Sequence, residues 1–247
     1  MKILVAKCTE LGDRERNEDY YMTSVSDKNY FFSLADGLGG HGLGDEASKT
    51  VCTTAINYLT NHKGVLSNEI FEEIYNLCQE NLYKKQEKLN ASGKMRTTLN
   101  LLCIDDRNIY WSHIGDSRIY YFKQGELVRR TLDHSVPQML VSVGELSDSQ
   151  IRFHEDRNRL LKVLGVEDQK PSYEVEQPIP LSGDQQFLLC SDGFWELITE
   201  EQMLLCLEEA EEPQLWLDNM MELVHKNGRN KSKDNITAIA IWILEDK

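Results

Sequence analysis

The chain has 247 residues and carries 41 acidic against 27 basic side chains, a formal net charge of −14 at pH 7. That balance argues against nucleic acid or an anionic membrane as a partner, because both select a basic face. Hydrophobic residues make up 40% and are evenly spread, which suits one large core and a single domain over residues 1–247.

The apolar stretch after Met1 is too short for a signal peptide, and no apolar run reaches the length of a membrane span. Residues 2–9, 20–26 and 30–36 read as strands. Residues 46–61 follow as a helix whose apolar positions Ala47, Val51, Ala55, Tyr58 and Leu59 keep a three-four spacing. Residues 68–88 form a second helix, with Ile70, Ile74, Leu77, Cys78 and Leu82 on one face. Strands return at 97–104 and, after a polar Asp105-Asp106-Arg107-Asn108 turn, at 109–114. Residues 118–122 and 127–131 flank Lys123-Gln124-Gly125-Glu126, a hairpin signal.

Residues 135–143 look helical and stop at Gly144. The polar stretch 145–173 reads as a surface excursion with one short helical piece near 158–164. An apolar strand, Phe187-Leu188-Leu189-Cys190, comes next. Thr199-x-x-Gln202 is a capping box that opens a helix, and a further amphipathic helix at 215–225 ends before Gly228. The last strand begins at Ile236. Grouped strands and paired helices favour an antiparallel α+β layered protein over alternating βαβ units. The six cysteines form no Cys-x-x-Cys pair, so reduced core thiols in a cytoplasmic protein are expected.

Asp36 closes the apolar run Tyr30-Phe31-Phe32-Ser33-Leu34-Ala35 and is followed by Gly37-Leu38-Gly39-Gly40-His41-Gly42. Asp192-Gly193 repeats the arrangement after Cys190-Ser191, and Asp234 opens the run Ile236-Thr237-Ala238-Ile239. A single Asp-Gly is an ordinary turn. Three carboxylates at the ends of buried strands are harder to explain as turns, since an unpaired carboxylate is costly there. Carboxylates without Cys or His partners suit hard cations such as Mg²⁺ or Mn²⁺. Asp116, in Gly115-Asp116-Ser117-Arg118, is a fourth such acid or a local ion-pair partner of Arg118. Glu18 and Asp19 add to the acidic group. Arg14 reads either as a bidentate phosphate ligand or as an exposed arginine paired with Glu15 or Glu18.

With these residues in view, the chain resembles the type 2C (PPM) metal-dependent serine/threonine protein phosphatases of the compact bacterial kind. The matching stretches are Arg14-x-x-Asn17-Glu18-Asp19, Ala35-Asp36-Gly37-Leu38-Gly39-Gly40-His41, Thr97-Thr98 and Gly115-Asp116-Ser117-Arg118. They continue with Asp133-His134-Ser135, Arg157-Asn158 through Gly165, Cys190-Ser191-Asp192-Gly193 and Asp234-Asn235-Ile236-Thr237. They keep family order across nearly the whole chain.

The resemblance implies a four-layer αββα sandwich, two antiparallel central sheets flanked by helix pairs, with a flap at about 145–173. It implies that Asp36 bridges two Mn²⁺ or Mg²⁺ ions and that the Gly37 carbonyl holds one of them. Asp192 and Asp234 ligate the other, and Glu18 and Asp19 orient metal-bound waters. Arg14 binds the substrate phosphate, and Asp116 joins Asp192 at a third, weaker ion. Two dications about 3.5–4 Å apart supply hydroxide near neutral pH for in-line attack on phosphorus. The implied substrates are phosphoserine and phosphothreonine proteins, made by a cognate kinase, and the enzyme is expected to be a monomer. Thr98, Ser117 and Ser191 read as structural hydroxyls.

The chain departs from the family in three places. Arg96 stands where Gly usually precedes the Thr pair, and Gly12 lies two residues rather than three before Arg14. Leu38 takes the place of the histidine of eukaryotic members, which leaves His41 or a metal-bound water as proton donor. Two other readings of the same residues are a catalytically silent binding module on this fold and a metal-dependent nuclease. The first lacks the loss of an aspartate among Asp36, Asp192 and Asp234 that would favour it, and the second lacks a basic stripe.

Overall fold

The computed structural model describes residues 1–38 and 42–245. Gly39, Gly40 and His41 lie outside the described residues, and with them the expectation of His41 as proton donor. In chain order the elements begin with β1 (Lys2–Glu10), β2 (Asp19–Ser26), β3 (Asn29–Asp36), α1 (Gly44–Asn61) and α2 (Glu69–Leu89). Next come β4 (Leu99–Ile104), β5 (Asn108–Ile114), β6 (Arg118–Lys123), β7 (Glu126–Arg130), α3 (Val136–Ser142), β8 (Glu174–Val175) and β9 (Ile179–Pro180). The chain ends with β10 (Gln185–Cys190), α4 (Asp192–Trp195), α5 (Glu200–Glu208), α6 (Pro213–Asn227) and β11 (Ile236–Leu244). It divides into two compact units, each built on one antiparallel sheet.

The first unit takes Met1–Asn17, Arg118–Thr131 and the chain from Ser182 on. Its five-stranded sheet has the order β1-β11-β10-β6-β7. β11 carries Ile, Ala and Trp with Thr237 as its one polar residue, so it has no polar face to offer water; it lies between β1 and β10, buried on both faces through Ile243. α6 starts on Pro213 and buries the stripe Trp216, Leu217, Met220, Met221 and Val224. Trp216 meets Phe122 edge-on at 5.4 Å and donates its indole N–H to the Met203 carbonyl at 3.0 Å. α5 opens on the expected capping box of Thr199 and Gln202.

The second unit comprises Glu18–Ser117 and Leu132–Leu181. Its sheet has the order β2-β3-β4-β5-β8, with β9 also pairing to β5. α1 packs on β2 and β3, and α2 packs on α1. Ala47, Val51, Ala55 and Leu59 of α1 meet Ile74, Cys78 and Leu82 of α2 and Phe31, Leu101 and Cys103 of the sheet in one buried cluster. Each fully buried aliphatic or aromatic side chain contributes about 1.5–3 kcal/mol. Such packing, more than helix propensity, fixes a helix pair to its sheet.

Two expectations need correction. Residues 158–164 are not helical: Leu160 bridges to Ser135 and Leu164 to Thr97, so their backbone groups pair across the chain instead of within a turn. The helical piece of the excursion is a 3-10 turn at Asp148–Phe153, opened by a capping box of Ser147 and Gln150. Secondly, β4 starts at Leu99. Thr97 makes isolated bridges to Gly37 and Leu164 instead, which places Thr97 and Thr98 at the β3 corner.

Candidate functional site

In the second unit Asp36 is the last residue of β3 and stands opposite Asp19, the first of β2. The corner is tied on all sides. The Asp36 N–H donates to Thr98 Oγ1 at 2.8 Å, and its carbonyl accepts from Thr98 N at 2.9 Å and from Thr97 Oγ1 at 2.7 Å. Gly37 N donates to the Glu18 carbonyl at 3.0 Å, which also accepts from Ser48 Oγ at 2.6 Å. A Cβ on Gly37 would run into the Gly44 carbonyl, so only glycine fits. Conversely, a Cβ on Gly44 would lie 2.8 Å from the Gly37 carbonyl oxygen and 2.9 Å from Glu18 Oε1, so both oxygens line one small space. Thr98 Oγ1 also meets Ser117 Oγ at 2.9 Å, which places buried Asp116 beside the same network. The hydroxyls of Thr98 and Ser117 are structural, as expected.

In the first unit Asp192 follows β10 and is the first residue of α4. The Ser191 N–H donates to the Thr237 carbonyl at 3.0 Å, while Thr237 N donates to Ser191 Oγ at 3.0 Å, which fixes the corner to β11. A Cβ on Gly193 would strike the Asn235 carbonyl, so glycine lets the Asp192 and Asp234 segments lie backbone to backbone. The loop bearing Arg14 is fastened to the same place. Lys233 N donates to Asp13 Oδ2 at 2.8 Å, and Asn235 Nδ2 donates to the carbonyls of Leu11 at 2.8 Å and Arg16 at 3.0 Å. Gly12 has φ +62° and no room for a Cβ against the Asp234 carbonyl, which accounts for a glycine at that offset. The Arg14 guanidinium thereby meets Asp234 Oδ2 at 2.5 Å.

Arg14 pairs with Asp234, 220 residues away in sequence. Arg118 and Asp116 are both buried, 1% and 4% exposed. Arg118 lies over the Trp195 ring at 3.5 Å and reaches Glu200 at 3.4 Å.

Sequence reasoning missed Asp13 and Asn235 as the fasteners of the arginine loop; both stand within motifs that drew attention to their neighbours. It also missed a cluster of His113, His134 and Glu174 in the second unit. The two imidazoles stack at 4.6 Å and 11°. Burial drives the pKa of His134 down to about 4, assisted by His113, and burial also lowers that of His113.

The donors at Asp36, Gly37, Glu18, Asp19 and Asp116, and separately at Asp192 and Asp234, are all oxygens. With the small space shared by Gly37 and Glu18, they fit hard divalent cations and no softer metal. A groove of about 1110 Å³ beside Lys49, Lys84, Lys85 and Lys88 holds none of these residues.

A family model described as Protein phosphatase 2C matches residues 10–236. The chain is 28% identical to "Serine/threonine phosphatase stp" of Listeria innocua over 92% of this chain and 90% of that protein. It superposes on a bacterial serine phosphatase with a TM-score of 0.89 at 25% identity, covering 100% of both chains. A catalytic domain of the phosphatase PstP, solved in complex with 2 manganese ions, superposes with a TM-score of 0.81 at 24% identity over 98% of this chain and 99% of that one. The expected α+β class, with antiparallel sheets and flanking helices, is the class of these sandwich structures.

Proposed function

Because the chain belongs to the protein phosphatase 2C family, we propose that it hydrolyses phosphoserine and phosphothreonine on proteins, using two Mn²⁺ or Mg²⁺ ions. The carrying observation is that the match spans residues 10–236, a stretch that contains Asp36, Asp192 and Asp234. When bound, the cations supply a water nucleophile activated near neutral pH and offset charge on phosphorus. In this reading Asp36 and the Gly37 carbonyl would hold one ion, and Asp36, Asp192 and Asp234 would serve the other. Glu18 and Asp19 would orient water, and Asp116 with Asp192 would take a third, weaker ion.

The chain's own residues do the positioning. The main chain of Asp36 is fixed by bonds to Thr97 and Thr98, so the backbone that carries its carboxylate is set before substrate binds. Arg14, set beside Asp234 by the Gly12–Asp13 turn, offers a planar fork for two phosphate oxygens, in the ground state as well as in the transition state. None of the cysteines needs to act as nucleophile. Those at 52, 78 and 103 are buried, and burial pushes the Cys52 thiol up to about 12.

Phosphoproteins made by a serine/threonine kinase are the substrates in this reading. The protein acts as a monomer in the cytoplasm, in keeping with six unbridged thiols. Among the described residues, no helix is long and apolar enough to cross a membrane. The test is hydrolysis of a phosphothreonine peptide with Mn²⁺, then with EDTA, with duplex DNA as a second substrate. Mn²⁺-dependent phosphate release that EDTA abolishes, with DNA intact, is the expected result. Peptide left intact at saturating Mn²⁺ would overturn it.

A further inference from the structure

We propose that His134 is a positioning residue for Asp116, acting through the backbone of Gly115, with Glu174 fixing its tautomer. The proposal rests on the reading of Asp116 as ligand of the third ion. Gly115 has φ +107°, and a Cβ there would collide with the Thr98 side chain. The turn that carries the chain from β5 to Asp116 is therefore a left-handed glycine, which nothing intrinsic holds in one conformation. His134 holds it at both polar groups. The His134 N–H donates to the Gly115 carbonyl at 2.9 Å, and the Gly115 N–H donates to His134 Nδ1 at 3.1 Å.

That second bond uses the Nδ1 lone pair, so the single proton of the neutral ring sits on Nε2. It points to Glu174 Oε1 at 3.0 Å, and the same oxygen takes Lys162 Nζ at 3.3 Å. Were the proton on Nδ1, it would oppose the Gly115 N–H. Glu174 thus selects the only tautomer that can accept from Gly115. The ring is further fixed by His113, stacked on it and bonded through Nε2 to the Leu132 carbonyl at 2.8 Å. On the other side of Asp116, Ser117 is tied to Thr98. Asp116 is thereby fixed between two anchors, one of them reached from Lys162 and Glu174 at the end of the 145–173 excursion. This arrangement resembles the outer-shell partners that orient metal ligands, whose loss costs about 10–100-fold in metal affinity or activity.

The test compares His134→Leu with His134→Asn, whose Oδ1 replaces Nδ1 as acceptor, in the full chain with Asp116→Ala as reference. Mn²⁺ binding is read by calorimetry, and kcat and KM on a phosphothreonine peptide by phosphate release. His134→Leu should weaken the weak Mn²⁺ site about tenfold and lower kcat, leaving the tight sites and KM near wild type. His134→Asn should restore both. Equal losses in the Leu and Asn variants would show that the acceptor is not what matters and would overturn the proposal. An altered Asp116→Ala with an unaltered His134→Leu overturns it alone, whereas an inert Asp116→Ala removes the third-ion reading and this inference with it. Should His134→Leu fail to fold, Glu174→Leu, at a half-exposed position, must shift the weak site in the same direction while Glu174→Gln does not. An unmoved Glu174→Leu counts against the proposal.

Discussion

The two Asp-Gly corners, Asp36-Gly37 after β3 and Asp192-Gly193 after β10, are nearly interchangeable as text and different as structure. Asp36 stays extended, paired across the sheet to Asp19, and Gly37 continues into a bridge with Thr97. Asp192 instead begins a helix of four residues. The two share one physical device. In each, the missing Cβ admits a foreign backbone, the Gly44 carbonyl in one unit and the Asn235 carbonyl in the other. The glycine therefore serves close approach of two chain segments bearing oxygens, and the local conformation is secondary. The first corner is braced by three hydrogen bonds to Asp36 itself, and the second by Ser191 and by a loop whose Arg14 side chain is 55% exposed.

The comparison breaks most sharply at the carboxylates. Asp36→Asn and Asp234→Ala remove charge without touching the core, so each should lower turnover on the order of a thousandfold, with thermal unfolding nearly unchanged, and EDTA should do the same to wild type. Near-wild-type turnover in either variant at saturating Mn²⁺ would refute the two-ion assignment. Gly193→Ala comes next. Its methyl must displace the Asn235 carbonyl, so the Asp192 and Asp234 segments separate and kcat falls by up to about a hundredfold, with a raised Mn²⁺ requirement. An alanine variant with unchanged Mn²⁺ titration would mean the close approach is only packing.

Arg14→Ala sharpens the contrast between the braced and the open corner. Its phosphate contact exists in the ground state, so KM for phosphopeptide should rise about tenfold while kcat changes less. Unchanged KM and kcat would return Arg14 to a surface ion pair.

What could be read in the sequence was whatever local pattern decides. β11 and the stripes of α1, α2 and α6 follow from apolar spacing, and the Thr199 cap from its own residues. The acids of the candidate site stood out because each adjoins an apolar strand. Residues 158–164 could not be read the same way. Arg157-Asn158-Arg159-Leu160-Leu161-Lys162 has no local obstacle to a helix, and only pairing with Ser135 and Thr97, far away in sequence, draws it out straight. Asp13 and Asn235 escaped for a related reason, since their bonds close loops of more than two hundred residues and leave no local trace. Nothing around Glu174 announces a partner for His134 at all.

The last contrast is between a braced corner's metal chemistry and its proton chemistry, which predicts a pH effect on stability with none on turnover at neutral pH. Folded His134 takes up a proton only near pH 4, while the unfolded chain does so near the ordinary value of about 6.5. Between those limits the unfolded state binds more protons, so this group's stabilisation is complete above about pH 6.5 and is lost as pH falls toward 4. His113, lowered by its own burial, acts in the same direction. Of the charges facing His134, Lys162 deepens the effect, and Glu174, itself held ionised against its burial by the imidazole bond, opposes it. His134→Asn removes one of these titrations and keeps the acceptor for Gly115. Urea unfolding at pH 7, 5.5 and 4.5 should therefore show a shallower loss of stability for His134→Asn than for wild type, with the two curves parallel above pH 7. Equal slopes throughout would mean that His134 titrates normally and that its ring is not held neutral by the fold.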